Sequence, residues 1–395
     1  MDFRMTEEQE AIRDAVRKTC EPFDDAYWLD RDETGEFPYE FHKAMADGGW
    51  LGIAMPEEYG GSGLGVKEAA IMMNPIAQTP GAQSAASAVH INIFGPHPIV
   101  VMGTEEQKRR HLPPLIKGEQ ITCFGVTEPD AGLDTTSIKT KAERTDKGYV
   151  VHGRKMWTST AQEANKILLL ARTTAKEDCA KSTDGISLFY TDFNRDYIEA
   201  RVIPKMGRKS VDSNAVFIDG LPIPKEDLIG EEGKGFYYLL HSLNPERILV
   251  GIEGIGIGQQ ALERAVEYAK ERVVFGRPIG MNQSIQHPLA VNWAELEAAY
   301  MMCMKAADLY DRGLPILGDL RNQIRCVDSD ALPSALNHLL RNGKAVCGAM
   351  REEEMQALFQ EHATDIRSAA MVPLEYQGKL GLLAIGSAVV AVGQR

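Results

Sequence analysis

The 395-residue sequence predicts an α+β chain in four stretches: helices, then a β domain, then helices again, then a small α/β tail. Three observations predict it. Residues 1–119 repeat apolar side chains at helical spacing behind threonine caps. Residues 120–230 hold short β-branched and aromatic runs separated by turn residues. Residues 231–313 return to helical periodicity, and residues 314–395 change texture once more.

In the first stretch the helical segments are TEEQEAIRDAVRKTC, YEFHKAMADGGWL, KEAAIMMNPIAQ and TEEQKRRHLPPLI. Thr6 and Thr104 read as N-caps, each followed by an acidic first turn that complements the helix dipole. Gly/Pro clusters such as PEEYGGSGLG punctuate them. The β domain is read from KGYVVHGRKMWTST, NKILLLART, GISLFYTDF and NAVFIDGLPI. The second helical stretch opens with a glycine-bearing helix and continues with HPLAVNWAELEAAYMMCMKAADLYDRG. In the tail, ALPSALNHLLRNGKAV reads as a helix, and IRSAAMVPLEYQGKLGLLAIGSAVV as a β-hairpin around Gln377-Gly378.

Bulk properties exclude several function classes. A net charge of -13 argues against nucleic acid or anionic membrane as the main partner. The acidic start MDFRMTEEQEAIRDAV carries neither a secretory apolar core nor a transit pattern. The longest apolar run, Leu380 to Gly393, is too short to span a bilayer. Cys20, Cys123, Cys179, Cys303, Cys326 and Cys347 are scattered without a C-x-x-C pair, as in a reduced, cytoplasmic protein. No His/Cys ligand spacing, P-loop, complete G-x-G-x-x-G or G-x-S-x-G appears.

The stretch HSLNPERILVGIEGIGIGQQ leaves two readings of Glu246 open. Locally, Asn244 is a good N-cap, Pro245 suits the first helical position, and Glu246 is then a first-turn acid. Yet Gly251, Gly254, Gly256 and Gly258 interrupt the helix that follows, each costing roughly 1 kcal/mol against alanine. Such a run points to a second backbone or a planar ligand in close approach.

At CFGVTEPDAGLDTTSIKTKA and GYVVHGRKMWTST the chain resembles the acyl-CoA dehydrogenase family. PEEYGG, GTEEQKRRHLPPLIKGE, GLPIPKEDLIGEEGKGF and ERVVFGRPIGMNQ extend the resemblance over about residues 1–313. It implies the acyl-CoA dehydrogenase fold, an N-terminal helical domain, a middle β-barrel domain and a C-terminal helical bundle, with FAD between the β domain and the helices. Thr127 and Ser159 would then offer hydroxyls to the flavin, Trp157 would pack on its ring, and backbone N–H groups near Phe124, Val126 and Trp157 would complete the pocket. Arg272, Phe275 and Gln283 match the patch that binds the ADP half of an FAD on a neighbouring subunit. Leu133 stands where the family usually has a serine near cofactor and acyl-CoA.

The same resemblance decides between the readings of Glu246. Many members place the base late in the chain; the isovaleryl- and long-chain-type members place it on this helix, directly before an arginine. Arg247 lies 25 residues before Arg272 (272 minus 247), the family's spacing. Glu246 is therefore expected to remove the α-proton of an acyl-CoA thioester, with Asn244 and Arg247 beside the substrate and Pro245 as a kink inside a long helix. An electron-transfer flavoprotein is the implied electron acceptor, and a homodimer or tetramer the implied assembly.

Beyond Gly313 this resemblance stops. The family's Q-x-x-G-G-x-G-Y and E-R-x-x-R-D stretches are absent, and the only Gly-Gly pairs are Gly48-Gly49 and Gly60-Gly61. NGKAVCGAMREEEMQALF, IRSAAMVPL and GLLAIGS resemble instead an uncharacterised bacterial GAF-like family. The C-terminal bundle is thus expected to be truncated, leaving apolar helix faces without partners and one oxyanion-type donor lost, a change that typically costs about 10²–10³ in rate. Two alternatives follow: a non-catalytic fusion whose GAF-like tail binds a ligand, and a flavin oxidase or hydroxylase on the same fold.

Overall fold

The two threonines expected to cap helices do so through reciprocal bonds. Thr6 Oγ1 accepts from the Gln9 N–H at 3.2 Å while Gln9 Oε1 accepts from the Thr6 N–H at 3.1 Å. Thr104 and Gln107 repeat the arrangement at 3.2 and 2.9 Å. Each box satisfies N–H groups that a helix start otherwise leaves unpaired. A computed structural model describes residues 4–314 and, beyond them, the segments 324–328, 346–348, 368–376 and 379–387. The chain divides into two units, Met1–Arg312 and Gly313–Arg395.

In the first unit seven helices come first: α1 (Glu7–Cys20), α2 (Asp25–Thr34), α3 (Tyr39–Asp47), α4 (Val66–Ala77), α5 (Ala82–Phe94), α6 (His97–Met102) and α7 (Glu105–Ile116). Ala82–Met102 is long and apolar enough to cross a membrane by length and composition, but 83% of its window is buried inside the fold. It serves as core. Eight strands follow: β1 (Thr122–Gly125), β2 (Lys141–Thr145), β3 (Gly148–Ser159), β4 (Lys166–Arg172), β5 (Ile186–Asp192), β6 (Ile198–Val202), β7 (Ser213–Pro224) and β8 (Leu228–Ile229). They form one sheet in the order β6-β7-β3-β2-β4-β5-β8, with β1 parallel to β4.

Strand β4 shows why KILLLAR is apolar without alternation. Leu168 and Leu170 pack with Leu112, Leu115 and Leu239 toward the helices, while Ile167, Leu169 and Ala171 pack with Phe189, Val151 and Val216 on the other side. Both faces are buried, so both phases of the period-two pattern must be apolar.

The long helix α8 (Gly235–Glu271) carries Pro245 in its interior. The local reading of Asn244 as N-cap and Pro245 as first helical residue is therefore corrected: packing against α4 and α5 carries the helix through the apparent start signal. A short hairpin, β9 (Val273–Val274) and β10 (Arg277–Pro278), leads to α9 (Gln283–Asp311). Gly256 and Gly258 of the run answer to packing, while a Cβ on Gly254 would meet nothing within 4 Å. A Cβ on Gly256 would lie 2.7 Å from the Asn74 carbonyl oxygen of α4, and one on Gly258 2.7 Å from Leu296 of α9. A second backbone, not a ligand, makes the close approach at Gly256.

Among the described residues, α8 and α9 also leave large apolar side chains exposed, including Val250, Tyr268, Trp293 and Met302. In the second unit, β11 (Ile324–Asp328), β12 (Val346–Gly348), β13 (Ser368–Tyr376) and β14 (Lys379–Ser387) form an antiparallel sheet in the order β11-β14-β13-β12. Tyr376 pairs with Lys379, as a hairpin about Gln377-Gly378 requires. The helix expected over ALPSALNHLLRNGKAV lies outside the described residues.

Candidate active site

The site grows from the turn after β1. Glu128, buried, accepts the N–H groups of Lys139 (2.7 Å) and Thr140 (3.0 Å) and the ammonium of Lys155 (2.9 Å). Lys155, 1% exposed, also donates to the carbonyls of Val126 (3.2 Å) and Leu170 (2.7 Å). Burial pushes its ammonium down to about 8, against the pull of Glu128. This pair locks the T-E-P turn onto β3, and the Met156 N–H donates to the Thr127 carbonyl at 2.9 Å. Thr127, Trp157 and Ser159 are thereby gathered at one end of the sheet.

Trp157 stands out there. The register of β3 against β7 shifts between Lys155 and Thr158, and Trp157 in that bulge adopts φ 62° with 60% of its surface exposed. A positive φ on a bulky residue costs about 1–3 kcal/mol, and such strain gathers at functional sites. Its effect is to expose an indole at the end of the sheet that also carries Thr127 and Ser159. An exposed aromatic wall flanked by hydroxyls is the donor set a flavin ring takes, so the residues fit FAD. Val126 is buried, and the Phe124 ring meets Phe94 of α5 edge-on at 5.7 Å, where sheet and helices join.

Helix α5 connects this edge to Glu246. On one side the Ser87 hydroxyl accepts from Arg208 Nη1 at 2.8 Å, and Arg208 Nη2 donates to Ser159 Oγ at 3.3 Å. One turn further along α5, His90 Nδ1 lies 2.5 Å from Glu253 Oε1, and Glu253 is fully buried. Glu253 and Glu246 are seven residues apart on α8 and so share a face. Burial pushes the Glu246 carboxyl above its ordinary value; His90 and Arg247 pull it back, and Glu253 adds to the rise. The Ser242 hydroxyl donates to the Phe94 carbonyl at 2.6 Å, fixing α8 against the end of α5.

Other expected residues sit apart. Asn244 Oδ1 accepts from Arg247 Nη1 at 2.8 Å, so these two engage each other at the surface. Leu133 is fully exposed in the loop after the T-E-P turn. Arg272 closes α8, Phe275 is fully exposed at φ 51°, and Gln283 opens α9. Arg272 follows Glu246 by 26 residues, about 39 Å along a helix rising 1.5 Å per residue. Arg272 is thus far from the expected base along one helix of the same chain. Lys155, Glu128, Arg208 and Glu253 were not singled out from the sequence. The one local signal was a charged residue at an inward-facing position of a strand, as at Lys155.

Family comparisons cover most of the chain. Residues 6–119 match the acyl-CoA dehydrogenase N-terminal domain, 123–221 the middle domain and 233–325 the C-terminal domain. Residues 305–389 match a family described as protein of unknown function, DUF484. A probable acyl-CoA dehydrogenase of Bacillus subtilis, YngJ, is 33% identical over 80% of this chain and 82% of its own length. Butyryl-CoA dehydrogenase from Megasphaera elsdenii superposes with a TM-score of 0.75 at 30% identity, over 81% of this chain and 83% of that one. PigA with FAD and proline superposes with a TM-score of 0.75 at 25% identity, over 81% and 83%.

Proposed function

Because the chain belongs to the acyl-CoA dehydrogenase family and takes FAD, we propose that Glu246 is the base that removes the α-proton from its acyl-CoA thioester. The observation that carries this is the path along α5. Ser87 reaches the Trp157/Ser159 edge through Arg208, and His90, one turn on, reaches the α8 face that holds Glu246. FAD, when bound, supplies the acceptor for the hydride that leaves the β-carbon.

The chain's own residues do the rest. Thr127 and Ser159 would hold the ring by their hydroxyls, and Trp157 would cover it. The partly buried Glu246 carboxylate takes the α-proton, and a trans-2-enoyl thioester leaves. A carboxyl raised by burial suits that task, because a base near the working pH both accepts and releases its proton readily. On the same reading electrons pass to an electron-transfer flavoprotein, a second copy supplies Arg272, Phe275 and Gln283 to its neighbour's cofactor, and the chain works in the cytoplasm. The exposed apolar side chains of α8 and α9 support one part of it, a second copy. The GAF-like reading of the tail is a further part.

The test is anaerobic bleaching of the flavin band by acyl-CoA in wild type and Glu246→Gln. We expect the bleaching rate to fall by about 10²–10⁴, the usual contribution of a positioned base, with the flavin still bound. Its acid limb should lie above the ordinary carboxyl range, activity falling as pH drops and Glu246 takes up a proton. Full bleaching by the flavin-loaded variant would refute the assignment.

A further inference from the structure

Beside the Ser159 edge lies a group of charges that the reaction above does not use. Ser159 and Ser213 are cross-strand partners on β3 and β7. Arg208 Nη2 donates to both hydroxyls, at 3.3 and 3.1 Å, while Nη1 reaches Ser87 on α5 at 2.8 Å. Lys205 Nζ converges on the same Ser213 hydroxyl at 2.9 Å and also donates to the Val211 carbonyl. Two cations therefore share one neutral acceptor. Among the described residues no carboxylate lies within ion-pair distance of either: Asp212 and Glu253 act on Arg208, and Asp212 and Asp32 on Lys205, only at longer range. The nearby acid Glu253 is already engaged by His90 (2.5 Å) and Gln83 (2.8 Å).

The arrangement has a cost. Arg208 itself holds φ 52°, a conformation a non-glycine residue rarely keeps, in order to thread its side chain inward. A guanidinium drawn out of water normally pairs with a carboxylate, and its planar fork suits one bidentately. Here three serine hydroxyls orient the fork without neutralising it. The place is also informative. On the reading above Ser159 stands at the flavin and Glu246 at the α-carbon, and Arg208 bonds Ser159 on one side and, on the other, Ser87 of α5, the helix whose His90 acts on Glu246.

We propose that Arg208, assisted by Lys205, is a specificity-determining cation of the acyl cleft, and that the acyl groups this chain takes carry a carboxylate at their far end. The substrate class is then a short dicarboxylic acid held as its mono-CoA thioester. The inference rests on the proposed function, since it takes the acyl chain to run from Glu246 past Ser159.

The experiment compares glutaryl-CoA with pentanoyl-CoA, two five-carbon acyl groups that differ in the terminal carboxylate, on the FAD-loaded full chain. Wild type should bleach with a kcat/KM at least about tenfold higher for glutaryl-CoA, and glutaryl-CoA should raise its Tm more than pentanoyl-CoA does. Arg208→Met should lower the glutaryl/pentanoyl ratio about a hundredfold, the scale of a lost buried charge pair, mainly through KM. Arg208→Lys should restore part of it, and Lys205→Met should give a smaller loss. The Tm readout also shows whether each variant has folded. Equal use of the two substrates by wild type would overturn the inference and leave the proposed function standing. So would an Arg208→Met variant that lowers both to the same extent, because a mere staple between α5 and the sheet does that. A flavin that no acyl-CoA bleaches, uncharged or carboxylated, would overturn the inference and the proposed function together.

Discussion

Two aromatic residues of this chain share a geometry and differ in everything that holds it. Trp157 and Phe275 both sit at positive φ, 62° and 51°, and both are exposed, at 60% and 101%. Trp157 stands on a bulge in a sheet whose next inward residue, Lys155, is buried and bonded to Glu128, Val126 and Leu170. Phe275 stands on a two-residue turn with Gly276, between strands of two residues each. The difference teaches what each patch can do alone. The Trp157 edge is fixed before any ligand arrives, so its strain is paid once by the core. The Phe275 turn has no such support among the described residues, and on the proposed reading its exposed ring serves a neighbouring copy.

The comparison is broken most directly at the support. Lys155→Met removes one partner of a buried pair and leaves Glu128 charged and unpaired, a loss of about 3–5 kcal/mol. We expect denaturant midpoints to fall accordingly and the protein to purify without its flavin absorbance. The pH dependence carries the sign. Burial lowers the Lys155 ammonium from 10.5 to about 8 in the folded chain. Between these values the unfolded chain binds the extra proton, so this group's contribution to stability rises with pH across that window. In Lys155→Met that slope should vanish. A variant as stable as wild type that keeps its flavin would mean that the Glu128–Lys155 pair does not hold the edge.

How far the sequence reveals this contrast depends on the scale of the interaction. Thr6 and Thr104 were legible because a cap involves residues three apart, and the structure repeats both boxes. The Gln377-Gly378 hairpin was legible for the same reason. Asn244-Pro245 gave an equally clear local signal and was misleading, because the burial of Ile248, Leu249 and Ile252 carries α8 straight through it. Arg208 gave no signal at all. Its partners are 121, 49 and 5 residues away, and a G-R-K-S stretch in a loop reads as a solvated turn. Glu253 lay hidden inside a glycine run, where attention fell on what was small rather than on the one charge facing α5. The motifs pointed to the residues proposed to hold the cofactor more readily than to those that shape the space beside them.

A smaller effect is expected at Trp157 itself. Trp157→Gly removes the strain of positive φ, so the apo protein should gain about 1 kcal/mol in denaturation. It also removes the aromatic wall, and FAD affinity should fall about tenfold, within the range of one lost stacking contact. Stability and affinity thus move in opposite directions, as strain stored for a ligand requires. Should both fall together, the bulge is stabilising in its own right and Trp157 is a packing residue that happens to be exposed.

The smallest effect, and the most discriminating, is expected at Phe275. Phe275→Gly relaxes the same kind of backbone strain, so the apo chain should again gain up to about 1 kcal/mol. FAD affinity should not change in protein dilute enough to be monomeric, because about 39 Å of helix separates this turn from the α8 face at Glu246. At concentrations where copies associate, the variant should bind FAD more weakly than wild type. Titrating FAD against both proteins at the two concentrations, with the mass in solution followed by light scattering, reads the difference directly. Equal weakening at both concentrations would mean that the turn serves its own chain's cofactor. The distinction between a self-contained edge and one that serves a neighbour would then have to be abandoned.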